Sequence, residues 1–194
     1  MRILIVNPPH SAIGSRIPKE HLPPLGLLCV GGPLIDAGHD VTLLDAEFGP
    51  MSQEAIAQQV IAHHPEILII GHAGSTSAHP TVVDLTRRLR RDLPDLTIIY
   101  GGVFPTYHYR DILHHEPQID VVVRGEGEAT VTHVVNALAQ GTDLNTIAGI
   151  AFRQAGTILE TPPAPMIRDL DAYRVGWELI DPKRYSYYGG NKRW

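Results

Sequence analysis

Short runs of β-branched and other aliphatic residues alternate with longer amphipathic stretches along most of this chain, and this alternation constrains its fold more than any other feature. A repeated order of strand and helix is typical of a parallel sheet covered by helices on both faces. Several runs are almost wholly apolar, as expected for strands buried on both faces. The sequence therefore predicts an α/β fold with a doubly wound, mainly parallel five-stranded sheet of the flavodoxin or Rossmann type. The predicted strands are residues 2–6, 40–45, 67–70, 96–100 and 119–123.

Helices are predicted in the gaps between these strands. The first ends at Gly38, a residue that commonly stops helices, and the second begins at Ser52, a good N-cap. The third has Pro80 in its first turn and carries four arginines between residues 87 and 91, which we expect to form a solvated face. The predicted helices are residues 25–37, 52–63, 80–92 and 127–139.

The pattern changes after residue 146. Two short apolar runs flank Gln154-Ala155-Gly156 and predict a β-hairpin, which is followed by a proline-rich linker that ends at Pro165. The remaining tail is rich in aromatic residues without periodicity, so we expect it to be loosely ordered until it joins another domain. The predicted division is an α/β domain (1–146), a hairpin with linker (147–165) and a connector (166–194).

Charge and cysteine content exclude several classes of protein. The formal net charge is −5, which favours neither a nucleic-acid nor a membrane-surface partner. The first seven residues are too short an apolar run for a signal peptide or a spanning helix. A single cysteine, Cys29, excludes an internal disulfide and a cysteine-held metal cluster within this chain. We therefore expect a cytoplasmic protein.

Loops rich in small residues follow the third and fourth predicted strands. Gly71, Ala73 and Gly74 follow one, and Gly101-Gly102 follow its neighbour. Ligands of open α/β sheets bind at the carboxyl ends of the strands, and small side chains let a ligand approach the backbone. These loops predict a slot between the two strands that admits a flat ring group, although tight turns would also account for the glycines.

Common nucleotide-binding patterns fit this chain poorly. Asn7-Pro8-Pro9 stands where a dinucleotide fold needs its glycine-rich turn, and no P-loop is present. A phosphoacceptor receiver domain needs an aspartate after strand three, where this chain has Gly71. One alternative stays open: Gly31-Gly32 and the following Ala37-Gly38-His39 resemble the nucleotide-sugar-binding half of a glycosyltransferase.

Four motifs in order resemble one family over essentially the whole chain. They are Asn-Pro-Pro at 7–9, Pro-Pro-Leu-Gly-Leu at 23–27, Gly-Gly at 101–102 and Val-Arg-Gly-Glu-Gly-Glu at 123–128. Together they resemble the N-terminal cobalamin-binding domain of radical S-adenosylmethionine (SAM) enzymes. Within that family the chain is similar to the anaerobic magnesium-protoporphyrin IX monomethyl ester cyclase family, which implies a role in tetrapyrrole biosynthesis.

The resemblance implies a base-off cobalamin whose nucleotide tail lies between strands three and four and whose corrin lies over the carboxyl edge of the sheet. The implied contacts come from the loops after all five strands. They are Asn7, Pro8, Pro9, His10, Glu47, Phe48, Gly71, His72, Ala73, Gly74, Ser75, Thr76, Gly101, Gly102, Val103, Phe104, Arg124, Gly125, Glu126 and Gly127.

Cobalamin mutases and methionine synthases carry the motif D-x-H-x-x-G, whose histidine is the lower ligand of the cobalt, and this chain departs from that motif. The matching positions are Pro9, Ser11 and Gly14, so a serine replaces the ligating histidine. The resemblance implies a histidine-off cobalt, with His10 and His72 bonded to corrin amides or to backbone. It also implies that the [4Fe–4S] cluster and SAM belong to a radical SAM domain of the same polypeptide beyond Trp194, so that this chain alone is a cofactor-binding domain.

Overall fold

The computed structural model describes residues 1–9, 21–48, 50–72 and 76–186. Strands and helices alternate within these ranges up to residue 140. The strands are β1 (Arg2–Asn7), β2 (Asp40–Asp45), β3 (Ile67–His72), β4 (Thr97–Gly102), β5 (Val121–Val123), β6 (Ile150–Gln154) and β7 (Thr157–Glu160). The helices are α1 (Leu25–Asp36), α2 (Gln53–His63), α3 (His79–Asp92), α4 (Val103–His115) and α5 (Glu128–Gln140).

The described strands form one sheet in the order β2-β1-β3-β4-β5-β6-β7. The first five are parallel, and β6 and β7 extend the sheet as an antiparallel hairpin. Two buried clusters lie on opposite faces of the sheet, one beneath α1 and α5 and the other beneath α2, α3 and α4. The predicted doubly wound α/β fold is therefore confirmed, and the predicted hairpin is the edge of the same sheet.

The predicted helix termini agree closely with the structure. The Ser52 side chain accepts a hydrogen bond from the Ala55 amide, as an N-cap does. Helix α4 was not among the predicted helices, because Gly101-Gly102 and Pro105 mask its pattern. Pro105 is tolerated because it lies in the first turn, where the backbone N–H has no intrahelical acceptor.

The arginines of α3 are not simply solvated, as the sequence led us to expect. Arg87 forms a two-point ion pair with Glu116, and Arg88 pairs with Glu54. Arg90 binds the Asp120 carboxylate at 2.6 Å and also donates to three backbone carbonyls. The contacts of Arg87 and Arg90 join α3 to the segments that precede β4 and β5, and that of Arg88 joins it to α2.

The described part of the tail packs against the α/β domain, which differs from the expected loose order. The Gly176 amide donates to the Leu28 carbonyl of α1 at 2.9 Å. A β-carbon at Gly32 would lie 1.8 Å from the Arg174 carbonyl oxygen, and one at Gly31 would lie 2.3 Å from a methyl of Leu179. The two glycines of α1 therefore make room for the tail. No described helix is long and apolar enough to cross a membrane.

Candidate functional site

Two glycines lie side by side where β3 and β4 end. Gly71 pairs in register with Gly101, on the face of the sheet that α1 and α5 cover. A β-carbon at Gly71 would lie only 3.0 Å from a methyl of Leu27, and one at Gly101 would lie 3.8 Å from the Val123 β-carbon. We call the place where these four residues meet the glycine cleft. Neither strand end carries a side chain on this face, but Leu27 lies directly against Gly71, so a group that reaches the Gly71 backbone has to displace Leu27.

One hydroxyl of the first part of α4 joins the end of β4 to the loop that follows β5. Thr106 Oγ1 donates to the Gly102 carbonyl at 2.8 Å and accepts from the Gly125 amide at 3.0 Å. Both glycines have a positive φ, 111° at Gly102 and 82° at Gly125. Side chains with a β-carbon rarely adopt such angles, so these two positions require glycine for the backbone itself.

The start of α5 contains a buried acceptor. Glu128 Oε2 is shielded from solvent and has no hydrogen-bond partner among the described residues. Burial raises the pKa of the nearby Cys29 thiol on α1, and the charge of Glu128 raises it further. Gly127 keeps the two helices close, because a β-carbon there would lie 3.2 Å from a methyl of Val30. A buried, unpaired carboxylate oxygen is costly unless a donor reaches it.

Asp45 organises the other half of the carboxyl edge. Its side chain is 4% exposed and lies at the end of β2. It binds Asn7 Nδ2 at 2.8 Å, His21 Nε2 at 3.0 Å and the Tyr185 hydroxyl at 3.0 Å. Phe48 lies against the same group, with its ring centroid 4.5 Å from that of His21.

Most of the described predicted contacts lie along this edge, and two side chains do not reach the glycine cleft. The Phe104 ring packs against His79, with 4.6 Å between ring centroids, on the opposite face of the sheet. The Arg124 guanidinium lies 4.6 Å from the centre of the Tyr109 ring and donates to the Thr161 carbonyl. These two side chains therefore stabilise α4 and the linker, and only their backbones lie at the edge.

The remaining predicted contacts differ in how far the structure describes them. Val103 is 58% exposed at the edge, Pro8 is buried, and Pro9 and Glu47 are half-buried. Glu126 accepts a hydrogen bond from the Ile167 amide at 2.6 Å and so joins the β5 loop to the tail. For His72 and Thr76 the backbone alone is described. The predictions for His10, Ala73, Gly74 and Ser75 lie outside the described residues.

Sequence reasoning missed several residues that shape the site. Asp45 had a usable signal, since it is a charged residue that ends a buried strand at the ligand-binding edge. Glu128 was read only as part of a motif. Thr106, His21 and Tyr185 gave no local signal, because their contacts join segments that are distant along the chain.

The fold and the glycine cleft define a doubly wound α/β domain with a ligand site at the carboxyl edge of its sheet. Residues 17–135, more than half of the chain, match the family described as "B12 binding domain". The chain therefore belongs to the B12-binding domain family, whose cofactor is cobalamin. The glycosyltransferase alternative is not supported, since Gly31-Gly32 has a structural reason in the packing of the tail.

Curated relatives agree with this assignment. The chain is 68% identical over 192 residues to the anaerobic magnesium-protoporphyrin IX monomethyl ester cyclase of Synechocystis sp., covering 99% of this chain and 38% of the relative. It is 31% identical to the protein of the same name from Rubrivivax gelatinosus, covering 100% of this chain and 35% of the relative. The chain thus spans less than half the length of these relatives, and the predicted similarity to the cyclase family is confirmed.

The fold is also that of a domain of the radical SAM methyltransferase TsrM from Kitasatospora setae, solved with cobalamin and a [4Fe-4S] cluster. The TM-score is 0.67 at 21% identity, and the match covers 87% of this chain and 30% of that protein.

The residues of the described site fit the cofactor of the family. Gly71 and Gly101 carry no side chain that would separate a ligand from the strand ends, and Leu27 is the side chain that covers Gly71. Cobalamin carries amide and hydroxyl donors, and Glu128 Oε2 is a buried acceptor that lacks one.

Proposed function

We propose that this chain binds base-off cobalamin as the N-terminal domain of a radical SAM enzyme. The register pair of Gly71 and Gly101 carries this proposal, because it leaves both strand ends without side chains on the face covered by α1 and α5. The nucleotide tail would be held in the glycine cleft. The corrin would be held by the loops after β1, β2 and β5.

The cofactor would supply a redox-active cobalt that can carry an alkyl group. The residues of this chain bind and orient it, and none of those described is placed to act on a substrate by itself. Asn7 is already held by Asp45 and presents a fixed strand end. Thr106 fixes the end of β4 against the loop after β5.

The radical step would be supplied by a second domain of the same polypeptide with SAM and a [4Fe–4S] cluster. This chain has one cysteine, fewer than such a cluster needs. The 68% identity to an anaerobic magnesium-protoporphyrin IX monomethyl ester cyclase favours a tetrapyrrole substrate and an oxidative cyclisation over methyl transfer. Mass spectrometry of the product formed by an enzyme that contains this domain would distinguish the two reactions, because cyclisation and methyl transfer change the mass of the substrate differently.

The decisive experiment is direct binding of the cofactor. The purified chain is mixed with hydroxocobalamin and desalted, and its visible spectrum is recorded. We expect the protein to retain the pigment stoichiometrically and Gly101→Leu, which fills the cleft, to lose it. Wild-type protein that emerges folded but colourless, beside a known cobalamin protein that stays coloured, would overturn the proposal.

A further inference from the structure

The tail of the chain is fastened to the candidate cofactor site through Asp45. This carboxylate is almost wholly buried and is shared by three side chains from different segments. Asn7 is at the end of β1, His21 precedes α1, and Tyr185 belongs to the tail. Asp45 therefore holds both ends of the connection between β1 and α1 and binds them to a residue 140 positions further along the chain.

Tyr185 is held by packing as well as by its hydroxyl. It is 5% exposed, and its ring stacks on His21 with 5.1 Å between centroids and 14° between planes. Burial, followed by the charge of Asp45, raises the pKa of Tyr185 well above its usual value, so the phenol keeps the proton it donates. His21 and Ser186 exchange two backbone hydrogen bonds of 2.9 Å. The tail is thus held at this point by packed rings, by a shared carboxylate and by a pair of backbone hydrogen bonds.

The same tail has a second attachment on α1. The Gly176 amide binds the Leu28 carbonyl, and Gly31-Gly32 leave the space that Arg174 and Leu179 occupy. Leu28 adjoins Leu27, which borders the glycine cleft. The tail therefore contacts Asp45 in one half of the candidate site and the chain neighbour of Leu27 beside the other half.

We propose that Asp45 and Tyr185 form a clasp by which the tail, residues 174–186, holds Asn7 at the carboxyl edge of the sheet and so sets the affinity for cobalamin. This inference rests on the proposed function. Pro8 and Pro9, two of the predicted corrin contacts, follow Asn7 directly. Fixing Asn7 before the cofactor arrives reduces the ordering that binding has to provide. By linkage, cofactor binding in turn stabilises the clasp.

Tyr185→Phe tests the clasp with little change in packing, because it removes the hydroxyl and keeps the ring. Tyr173→Phe is the matched control: it lies in the same tail, and its hydroxyl has no hydrogen bond to the described residues. Hydroxocobalamin binding to the 194-residue chain is measured by absorbance titration. We expect Tyr185→Phe to bind about tenfold more weakly, as for loss of one hydrogen bond to a charged group, and Tyr173→Phe to bind like wild type.

Hydrogen exchange gives a second measurement that needs no variant. In the wild-type chain, hydroxocobalamin should slow hydrogen exchange at the His21 and Ser186 amides. This slowing should be larger than any slowing at the amides of β7, which lies at the far edge of the sheet. Equal affinities of all three proteins, or unchanged exchange at His21 and Ser186 on binding, would overturn the clasp while leaving the proposed function standing. If the wild-type chain binds no cobalamin, the proposed function itself fails.

Discussion

Thr106 Oγ1 lies 3.0 Å from the Gly125 amide nitrogen and 2.8 Å from the Gly102 carbonyl oxygen, so one side chain couples the end of β4 to the loop after β5. Both segments belong to the candidate cofactor site, and both contain a glycine with positive φ. The hydroxyl therefore fixes the spacing of two backbones that carry few side chains of their own.

Thr106→Val should weaken cobalamin binding, because it keeps the shape of the side chain but removes both hydrogen bonds. Two lost neutral hydrogen bonds lower the free energy of unfolding by about 1–3 kcal/mol, and affinity falls by the part of this that keeps the two backbones in their binding arrangement, at most about a hundredfold. Thr106→Ser keeps the hydroxyl and should bind within a few-fold of wild type. Titration of the three proteins decides this, and equal weakening by serine and valine would contradict the role of the hydroxyl.

Gly101 is the better position at which to fill the glycine cleft. Gly102 has a φ of 111°, so any side chain there strains the backbone whether or not a ligand is bound. A β-carbon at Gly101 makes only an ordinary contact with Val123. Gly101→Ala should keep both fold and binding, while Gly101→Leu should fold and lose cobalamin. Circular dichroism and the retained visible spectrum are the measurements, and full binding by a folded Gly101→Leu protein would place the ligand elsewhere.

The packing of the tail against α1 can be tested by measuring the free energy of unfolding, without any ligand. Gly32→Ala places a methyl 1.8 Å from the Arg174 carbonyl oxygen, and we expect overpacking to lower the free energy of unfolding by about 1–3 kcal/mol. Gly26→Ala is the control in the same helix, since a β-carbon there meets nothing within 4 Å. It should leave stability unchanged or raise it by up to about 1 kcal/mol. Urea unfolding measures both, and similar effects of the two changes would contradict the tail contact.

Because His79 resists protonation in the folded domain, the domain should become less stable in mild acid. Desolvation lowers its pKa, opposed by the charge of Glu116, and its ring lies between Tyr100 and Phe104. The unfolded chain therefore binds a proton before the folded one does. Stability from this group is full above about pH 6.5 and is lost as pH falls through the lowered folded pKa.

His79→Gln removes this proton uptake. The free energy of unfolding, measured by urea between about pH 7 and about pH 5, should fall less steeply in the variant than in wild type. Parallel curves for the two proteins would show that the histidine titrates normally in the folded state.

The cobalt of the bound cofactor should lack a histidine ligand from this chain. Ser11 stands at the position of the usual ligand, and a neutral hydroxyl is a poorer donor to cobalt than imidazole. Electron paramagnetic resonance of the cob(II)alamin form should show no splitting from an axial nitrogen. A single-nitrogen splitting that disappears in His10→Ala or His72→Ala would show that one of these histidines is a ligand.

The sequence by itself determined the layered architecture, because alternation of apolar strands with amphipathic helices is a local pattern. The five parallel strands and the predicted helices follow from that pattern, as do the glycines at the ends of β3 and β4. It also determined the family, through short motifs in a fixed order.

Only the tertiary structure decided which residues meet at the carboxyl edge. The hydrogen bond between Tyr185 and Asp45 spans 140 positions along the chain. The bond between Thr106 and Gly125 joins helix α4, which follows β4, to the loop that follows β5. Arg124 and Phe104 follow strands at the correct edge, yet their side chains turn to other partners. The physical reason is that the strand order fixes where a backbone ends, whereas a side chain's direction depends on neighbours that packing supplies from distant segments.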